Sequence, residues 1–299
     1  MPAGKMHIDE VASDPLLVRR LLAAQFPQWA ELSIESVHSS GSDNALYRLG
    51  DDKVVRLPLT QVAATQVDKE QQWLPKLAPF LTLPIPIPVA KGAPGDSYPW
   101  HWSVYRWLEG EAATNGSIVD PCQTALELAQ FIATLQRVDP SGGPTPGAHN
   151  SYRGVQLATR DTETRTAITT LRGSIDVAAA TLAWDAALQA SDWNYQPVWI
   201  HGDLQPGNLL VQHGHLSAVI DFGCLGVGDP ACDLMVAWNL LSAESRDVFR
   251  TALQVDDETW ARGRGWALSF GLIALPYYRF TNPGLAKIAA YTIGEAAAA

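Results

Sequence analysis

The sequence predicts an α+β protein with two lobes, a small lobe built on an antiparallel sheet and a larger, mainly helical lobe. Three observations predict this class. The chain has 299 residues, which is enough for two domains of ordinary size. Strand-like runs separated by turns fill the first third of the chain, and alanine-rich helical patterns dominate the rest. We place the boundary between residues 1–108 and 109–299, where the composition changes.

The first lobe begins with a helix over residues 14–25, because apolar positions at helical spacing follow Asp14, a good N-cap, and Pro15, a good first residue. Alternating apolar residues then predict three antiparallel strands, at 33–38, 45–49 and 53–57. A helix over 60–74 stops or kinks near Pro75. The proline-rich stretch after it permits an edge strand from Val89, and the apolar run 102–108 completes the sheet.

The second lobe opens with a helix over 118–137, whose apolar residues form one stripe and which Asp139-Pro140 ends. A further helical stretch covers residues 163–189. Short apolar strands follow at 198–200, 209–211 and 217–221, and the chain from Asp233 onward is mainly helical. The polar clusters of this lobe therefore lie at the ends of its few short strands.

Composition indicates a globular protein, since 47% of the residues are hydrophobic and only 17% are charged. The net charge of −10, with Lys and Arg scattered, disfavours a nucleic-acid partner. An acidic surface suits cationic ligands, although solubility explains it equally well.

The cysteines Cys122, Cys224 and Cys232 are odd in number and form no CxxC pair, so neither a disulfide framework nor a zinc site is expected. No apolar run has the length of a signal peptide core or a membrane span, so we expect no membrane partner and a cytoplasmic location. Monomer and dimer both remain open.

The segment HGDLQPGNLL, residues 201–210, carries the most informative pattern. Asp203 and Asn208 have the D-x-x-x-x-N spacing of kinase catalytic loops, and Asp221-Phe222-Gly223 follows soon after another apolar strand. Phosphoryl transfer needs a carboxylate to orient the attacking hydroxyl and accept its proton, and it needs oxygen ligands for Mg²⁺. Asp203, Asn208 and Asp221 meet those needs. A polar turn between strands would explain the first segment alone, but not both segments together.

These motifs, with GDPACDL at 228–234, resemble the signature of aminoglycoside phosphotransferases and related antibiotic and metabolite kinases. Protein kinases usually have Arg where Gly202 stands, so the antibiotic-kinase branch is the better match. The resemblance implies a two-lobed, protein-kinase-like fold, with Mg²⁺ and with ATP or GTP as phosphate donor. It also implies Asp203 as catalytic base, Asn208 and Asp221 as metal ligands, His201 as a brace of the loop and Asp233 as a structural residue.

The resemblance further assigns the nucleotide side of the site to the first lobe. The loop formed by Ser39, Ser40, Gly41 and Ser42 and continuing to Asn44 fits a phosphate-covering loop, although a plain hairpin turn fits equally well. The strand and hinge over which the family places the purine correspond to residues 103–110, including Tyr105 and Trp107. These two side chains are equally compatible with a core position.

A lysine on the third strand normally contacts the phosphates and pairs with a helix glutamate, but here Arg56 holds the best-aligned position and Glu70 lies on the next helix. Lys53 is the rival, on the opposite face of the strand. An ordinary surface ion pair between Arg56 and Glu70 is the remaining interpretation.

We therefore predict a kinase that transfers the γ-phosphate of ATP or GTP to a hydroxyl of an aminoglycoside-like antibiotic. A macrolide kinase or a metabolite kinase, acting on a sugar or choline-like compound, is the alternative within the class. A nucleotide-binding pseudokinase is the alternative outside it, because Arg56 replaces lysine. The acceptor is expected near a set of acidic and aromatic residues of the second lobe, most of whose aromatics belong to the core: Asp229, Trp238, Glu244, Trp266, Tyr277 and Tyr278.

Overall fold

The chain forms two compact units in the computed structural model, which describes residues 10–37, 43–113 and 117–298. The first unit takes Met1–Pro79, Pro84–Glu109 and Ala218–Gly223. The second takes Phe80–Leu83, Gly110–Ser217 and Cys224–Ala299. The short return segment Ala218–Gly223 therefore brings Asp221 into the same unit as Arg56.

An antiparallel sheet of five strands organises the first unit, in the order β1-β2-β3-β5-β4. The predicted strands are confirmed, and β4 lies at the edge, as the prolines before it indicate. The central strand β3 carries Arg56. The bounds are β1 Ile34–Val37, β2 Asn44–Leu49, β3 Lys53–Pro58, β4 Pro88–Gly92 and β5 Trp102–Arg106.

The leading helix α1, Pro15–Gln25, begins as predicted. The carboxylate of Asp14 accepts a hydrogen bond from the backbone N–H of Leu17 at 2.7 Å, which satisfies one of the donors at the helix start. The buried face of α1 packs with side chains of the sheet to form the core of this unit. These core residues include Leu17, Val18, Leu21, Leu22, Tyr47, Leu49, Val55 and Leu57.

Replacing Asp14 with alanine is expected to destabilise the first unit by about 1 kcal/mol, because the Leu17 N–H loses its acceptor at the helix start. Thermal unfolding of the two proteins measures the difference. The exposed Asp51, in the turn between β2 and β3, is the control, and its replacement with alanine should leave the midpoint unchanged. Equal losses in the two variants would contradict the capping role.

Helix α2, Gln61–Leu77, does not stop at Pro75, which was one of the two predicted outcomes; it runs through Pro75 and continues for two residues. Proline removes one hydrogen bond near the helix end. The side chains of Leu74 and Leu77 are buried there, and the N–H of Ala78 still bonds the carbonyl of Leu74, so the last turn is retained.

Helices dominate the second unit. The predicted helix over 163–189 is wrong as a single element, because Gly173, with φ 85°, lies in a turn that divides it, and Asp176 caps a new helix. The other predicted helices are present. Their bounds are α3 Pro121–Arg137, α4 Asp161–Thr170, α5 Val177–Gln189, α6 Val236–Asn239, α7 Ala243–Leu253, α8 Asp257–Tyr278 and α9 Pro283–Ala298.

Short strands complete the fold and confirm the α+β class. Strand β7, Val198–Ile200, pairs antiparallel with β10, Gly226–Gly228. A three-stranded sheet has the order β6-β8-β9, with β6 at Glu111–Ala112, β8 at Leu209–Gln212 and β9 at His215–Val219. The last of these ends two residues before Asp221, earlier than predicted, and β6 and β10 are too short to have been recognised.

Cys122, Cys224 and Cys232 form no disulfide among the described residues. Among residues 10–37, 43–113 and 117–298, no helix combines the length and the apolar character that crossing a membrane requires.

Candidate active site

The loop that follows β7 is fixed by a buried carboxylate. Asp233 accepts hydrogen bonds from the backbone N–H groups of His201, at 2.8 Å, and Gly202, at 2.7 Å. Burial raises the pKa of Asp233, and the charge of His201 and the two N–H donors oppose that rise. Gly202 has φ 83°, and a Cβ there would lie 2.5 Å from the carbonyl oxygen of Cys224. The backbone before Asp203 therefore has one defined path, and Asp233 is structural, as expected.

The carboxylate of Asp203 is oriented from two sides. Its Oδ2 accepts hydrogen bonds from Gln205 Nε2 at 3.0 Å and from Asn208 Nδ2 at 2.8 Å, while Oδ1 lies 3.7 Å from Arg153 Nη2. The backbone N–H of Asp203 donates to His201 Nδ1 at 3.2 Å, which agrees with the bracing role of His201. About 19% of the Asp203 side chain is exposed, so the base candidate is held by its neighbours but still reachable.

Arg153 is a neighbour that the sequence did not reveal. It lies 50 positions before Asp203, in a loop where Ser151, Tyr152 and Gly154 have positive φ angles. Its guanidinium is buried and lies over the ring of Trp266, at 5.6 Å from the centroid. Arg153 could not be predicted from the sequence, because no rule of residue spacing connects a cation in such a loop with residues 201–208.

Asn208 is oriented by the same segment. Its Nδ2 donates to both the backbone carbonyl and the carboxylate Oδ2 of Asp203, each at 2.8 Å. The amide nitrogen is therefore directed at Asp203, and the amide oxygen is the atom of Asn208 that suits a cation.

Asp221, in the first unit, has φ 62°, a left-handed conformation that aspartate tolerates better than most residues. Its Oδ1 accepts from Arg56 Nη2 at 2.8 Å, and 41% of its side chain is exposed. The carbonyl of Gly223 accepts from the buried Lys69 at 2.7 Å. Lys69 is a second residue that the sequence reading missed, because its contact spans 154 positions.

Arg56 and Glu70 form the predicted ion pair, and it is not a surface pair. Arg56 Nη1 contacts Glu70 Oε1 at 2.6 Å and Oε2 at 2.7 Å, and the Glu70 side chain is only 2% exposed. Burial alone would lower the pKa of Arg56, but the negative charges of Glu70 and Asp221 raise it above its usual value. The guanidinium is therefore permanently charged.

Tyr105 is a core residue whose hydroxyl donates to Glu70 Oε2. Burial and the negative charge of Glu70 raise the pKa of Tyr105 well above its usual value, so the phenol stays protonated. Trp107 is half-buried, and the guanidinium of Arg48 lies 4.6 Å from its ring centroid. Contacts of Tyr105 and Trp107 with a nucleotide remain predictions.

Lys53, the alternative to Arg56 as the phosphate-contacting residue, has other partners. Its Nζ lies 2.6 Å from the carboxylate of Asp52 and over the ring of Trp29. The predicted phosphate-covering residues Ser39, Ser40, Gly41 and Ser42 lie outside the described residues.

The donor set fits Mg²⁺. The described residues contain no group of three His, Cys, Asp or Glu side chains that could hold a metal ion. Mg²⁺ in phosphoryl-transfer sites uses one or two protein oxygens and completes its shell with water and substrate phosphates, so the amide oxygen of Asn208 and the carboxylate of Asp221 are each of a suitable kind. Both offer hard oxygen atoms.

Three of the six residues expected near an acceptor are buried. Trp238 and Trp266 are fully buried, and Asp229 is buried in an ion pair with Arg262 at 2.8 Å. Tyr277 is exposed. The two tryptophans of this set therefore serve for packing.

In phosphoryl transfer the protein contributes mainly by positioning the reacting groups and stabilising their charge, and it does little covalent chemistry itself. Within the second unit Asn208 donates to the carboxylate of Asp203, and within the first unit Arg56 holds the carboxylate of Asp221. These are groups of the kind that a phosphotransferase acting on hydroxyl groups requires. A family model narrows the class further. Residues 35–266 match the phosphotransferase enzyme family, so the chain belongs to that family and the resemblance seen in the sequence is confirmed.

Solved structures share the fold. The GDP complex of wild-type aminoglycoside 2′-phosphotransferase IIIa superposes with a TM-score of 0.74, at 21% identity, over 96% of this chain and 99% of that one. A macrolide 2′-phosphotransferase from Brachybacterium faecium gives 0.60 at 22% identity, over 93% and 97%. A ternary complex of streptomycin and ATP with an aminoglycoside 2″-phosphotransferase of type IIa gives 0.58 at 15%, over 88% and 90%. No protein with a curated description matches the chain.

Proposed function

We propose that this protein transfers the γ-phosphoryl group of ATP or GTP to a hydroxyl of an aminoglycoside-like antibiotic. The observation that carries the proposal is the environment of Asp203, where Gln205 and Asn208 donate to one carboxylate oxygen and Arg153 lies near the other. A carboxylate held in this way, and still partly exposed, suits the orientation and deprotonation of an attacking hydroxyl.

In this proposal Asp203 is the catalytic base, and Asn208 and Asp221 are the Mg²⁺ ligands. The metal ion, when bound, neutralises charge on the phosphate oxygens. The protein's own part is to keep the ligands in place: Asp203 orients the amide of Asn208, and Arg56 orients the carboxylate of Asp221. Nucleotide binding is assigned to a set of first-lobe residues, namely Ser39, Ser40, Gly41, Ser42, Tyr105 and Trp107, with Arg56 and Glu70 acting through the ion pair between them.

The choice between ATP and GTP is left to experiment. One similar structure holds GDP and another holds ATP, and backbone groups of the hinge would read the purine in either case. Side chains near Trp107 consequently do not favour one nucleotide.

An aminoglycoside is the first choice of acceptor, because the net charge of −10 favours a polycation and aminoglycoside kinases share the fold. A macrolide is the second, because a macrolide phosphotransferase shares the fold as well. The burial of Trp238 and Trp266 weakens the argument for a bulky apolar acceptor. A sugar or amino alcohol stays as the third.

A screen with purified protein tests the proposal. ATP and GTP, each with Mg²⁺, are offered in parallel with aminoglycosides, macrolides, sugars and amino alcohols, and the release of nucleoside diphosphate and the mass of the acceptor are measured. We expect an aminoglycoside to gain one phosphoryl group in a magnesium-dependent reaction. Transfer to a macrolide or metabolite alone would mean that this compound, and not an aminoglycoside, is the acceptor. Absence of any transfer or hydrolysis would favour the pseudokinase.

A further inference from the structure

Every N–H donor of Arg56 has a partner within the first unit. An arginine guanidinium carries five such donors. The two on Nη1 point to the two carboxylate oxygens of Glu70, at 2.6 and 2.7 Å. One on Nη2 reaches Asp221 Oδ1 at 2.8 Å. The side-chain amide of Asn44 lies 2.9 Å from Nη2 and 3.2 Å from Nε, and in the amide orientation that satisfies hydrogen bonding its oxygen accepts from both.

Because all five N–H donors of Arg56 already have partners, the side chain has no donor left for a phosphate. Binding a phosphate through Arg56 would require one of these hydrogen bonds to break. The bonds to Glu70 are the least available, because that carboxylate is almost fully buried and would be left without its cation. The bonds to Asn44 and Asp221 hold groups at the exposed end of the network, where the side chain of Asp221 is 41% accessible.

We propose that Arg56 is a positioning residue for Asp221, with Asn44 as its third support, and that it is not the phosphate ligand which its place on the central strand suggests. Arg56 ties the buried Glu70 to the exposed carboxylate, and so fixes the direction in which the remaining oxygen of Asp221 faces. The assignment rests on the proposed function, in which Asp221 is a Mg²⁺ ligand.

A second set of contacts holds the backbone of the same segment. Lys69 donates to the carbonyl of Gly223 at 2.7 Å, and a Cβ at Gly223 would lie 2.5 Å from Gln66 Oε1. Gln66, Lys69 and Glu70 are spaced by three and four positions, so one face of α2 serves the segment from Asp221 to Gly223. Asp221 keeps a left-handed φ of 62° within this support.

Arginine suits this position better than lysine does. Its planar fork can meet two carboxylates and an amide oxygen at fixed angles, whereas an ammonium group offers three donors from one point and no planar geometry. Lysine would keep the charge and could keep the contact with Glu70. It could not reproduce the whole bridge to Asp221 and Asn44.

The variant Arg56→Lys therefore distinguishes a role in positioning Asp221 from a role in binding phosphate. If Arg56 positions Asp221, the variant should bind Mn²⁺ about 10- to 100-fold more weakly in the enzyme–ADP and enzyme–GDP complexes, the loss typical when a partner of a metal ligand is removed. Nucleotide affinity in EDTA should stay unchanged. Electron paramagnetic resonance measures the free Mn²⁺, and calorimetry measures the diphosphate affinity without metal.

Two further variants sharpen the test. Asn44→Leu removes the third support and should weaken Mn²⁺ binding in the same direction, whereas Asn44→Asp keeps an oxygen acceptor and should retain more of the affinity. Arg20→Lys changes an exposed arginine of α1 in the same unit and should alter neither quantity. Thermal unfolding of each variant identifies any loss of folded protein, and Asn44→Leu keeps the test available if Arg56→Lys does not fold.

The outcomes are distinguishable. Arg56→Lys with wild-type Mn²⁺ affinity and altered metal-free nucleotide affinity would make Arg56 a phosphate ligand and overturn this assignment alone. Asn44→Leu with wild-type Mn²⁺ affinity would overturn the part given to Asn44. A wild-type protein that binds neither Mn²⁺ nor a nucleoside diphosphate would overturn the proposed function, and this assignment with it.

Discussion

Replacing Asp203 with alanine is expected to lower kcat by about a hundredfold to ten-thousandfold, the range that a positioned general base contributes. The affinity for nucleoside triphosphate should change little. Alanine is the informative replacement, because the backbone carbonyl of residue 203 still accepts from Asn208 Nδ2 at 2.8 Å and keeps the proposed metal ligand oriented. Asparagine would instead place an amide group among the donors of Gln205 and Asn208.

Steady-state kinetics on the acceptor found in the screen measure kcat, and a fluorescent nucleotide analogue measures binding. The control is Asp192→Asn, which changes an exposed aspartate of the same unit and should leave both quantities as in the wild type. Turnover by Asp203→Ala at a rate close to that of the wild type would show that another group accepts the proton.

The residues proposed for the site could be picked out from the sequence because they lie in short segments with fixed spacing. Asp203 and Asn208 occupy one loop of six residues, and Asp221 directly follows the run of apolar residues that contains β9. Helix caps are equally local, and Asp14 was recognised as the start of α1 from its neighbours alone.

Contacts between distant segments could not be predicted in this way. Arg153 reaches Asp203 across 50 positions, and Lys69 reaches Gly223 across 154. Neither residue belongs to a pattern, since a single Arg or Lys in a polar loop or on an amphipathic helix is most often a solvated charge. The division of the predicted helix 163–189 was missed for a related reason. The turn at Gly173 contains no proline, and one glycine is tolerated inside many helices.

The buried pair of Arg262 and Asp229 supports the second large prediction. Arg262 Nε contacts Asp229 Oδ2 at 2.8 Å and Nη2 contacts Oδ1 at 3.2 Å, and the two side chains are only 3% and 4% exposed. Asp229 also caps the short helical segment Pro230–Met235 by accepting from Ala231 N–H. That segment contains Asp233, which accepts from the backbone N–H groups of His201 and Gly202, so the pair connects α8 with the support of the backbone before Asp203.

Replacing Arg262 with leucine is expected to destabilise the second unit by about 3–5 kcal/mol, because a buried carboxylate is left without its cation. Urea unfolding followed by circular dichroism measures the loss. Arg165 provides the control, since it also contacts two carboxylates, those of Asp161 and Asp185, but its side chain is 44% exposed. Arg165→Leu should cost about 1 kcal/mol or less.

The double variant Arg262→Leu, Asp229→Leu decides whether the charge or the lost packing causes the effect. Removing both charges should restore part of the stability, since no unpaired carboxylate remains, and apolar replacements of buried ion pairs are often tolerated. Ala231 N–H still loses its cap, so the recovery should be incomplete. A double variant less stable than Arg262→Leu alone would mean that Asp229 stabilises the segment mainly as a cap, and that the ion pair itself contributes little.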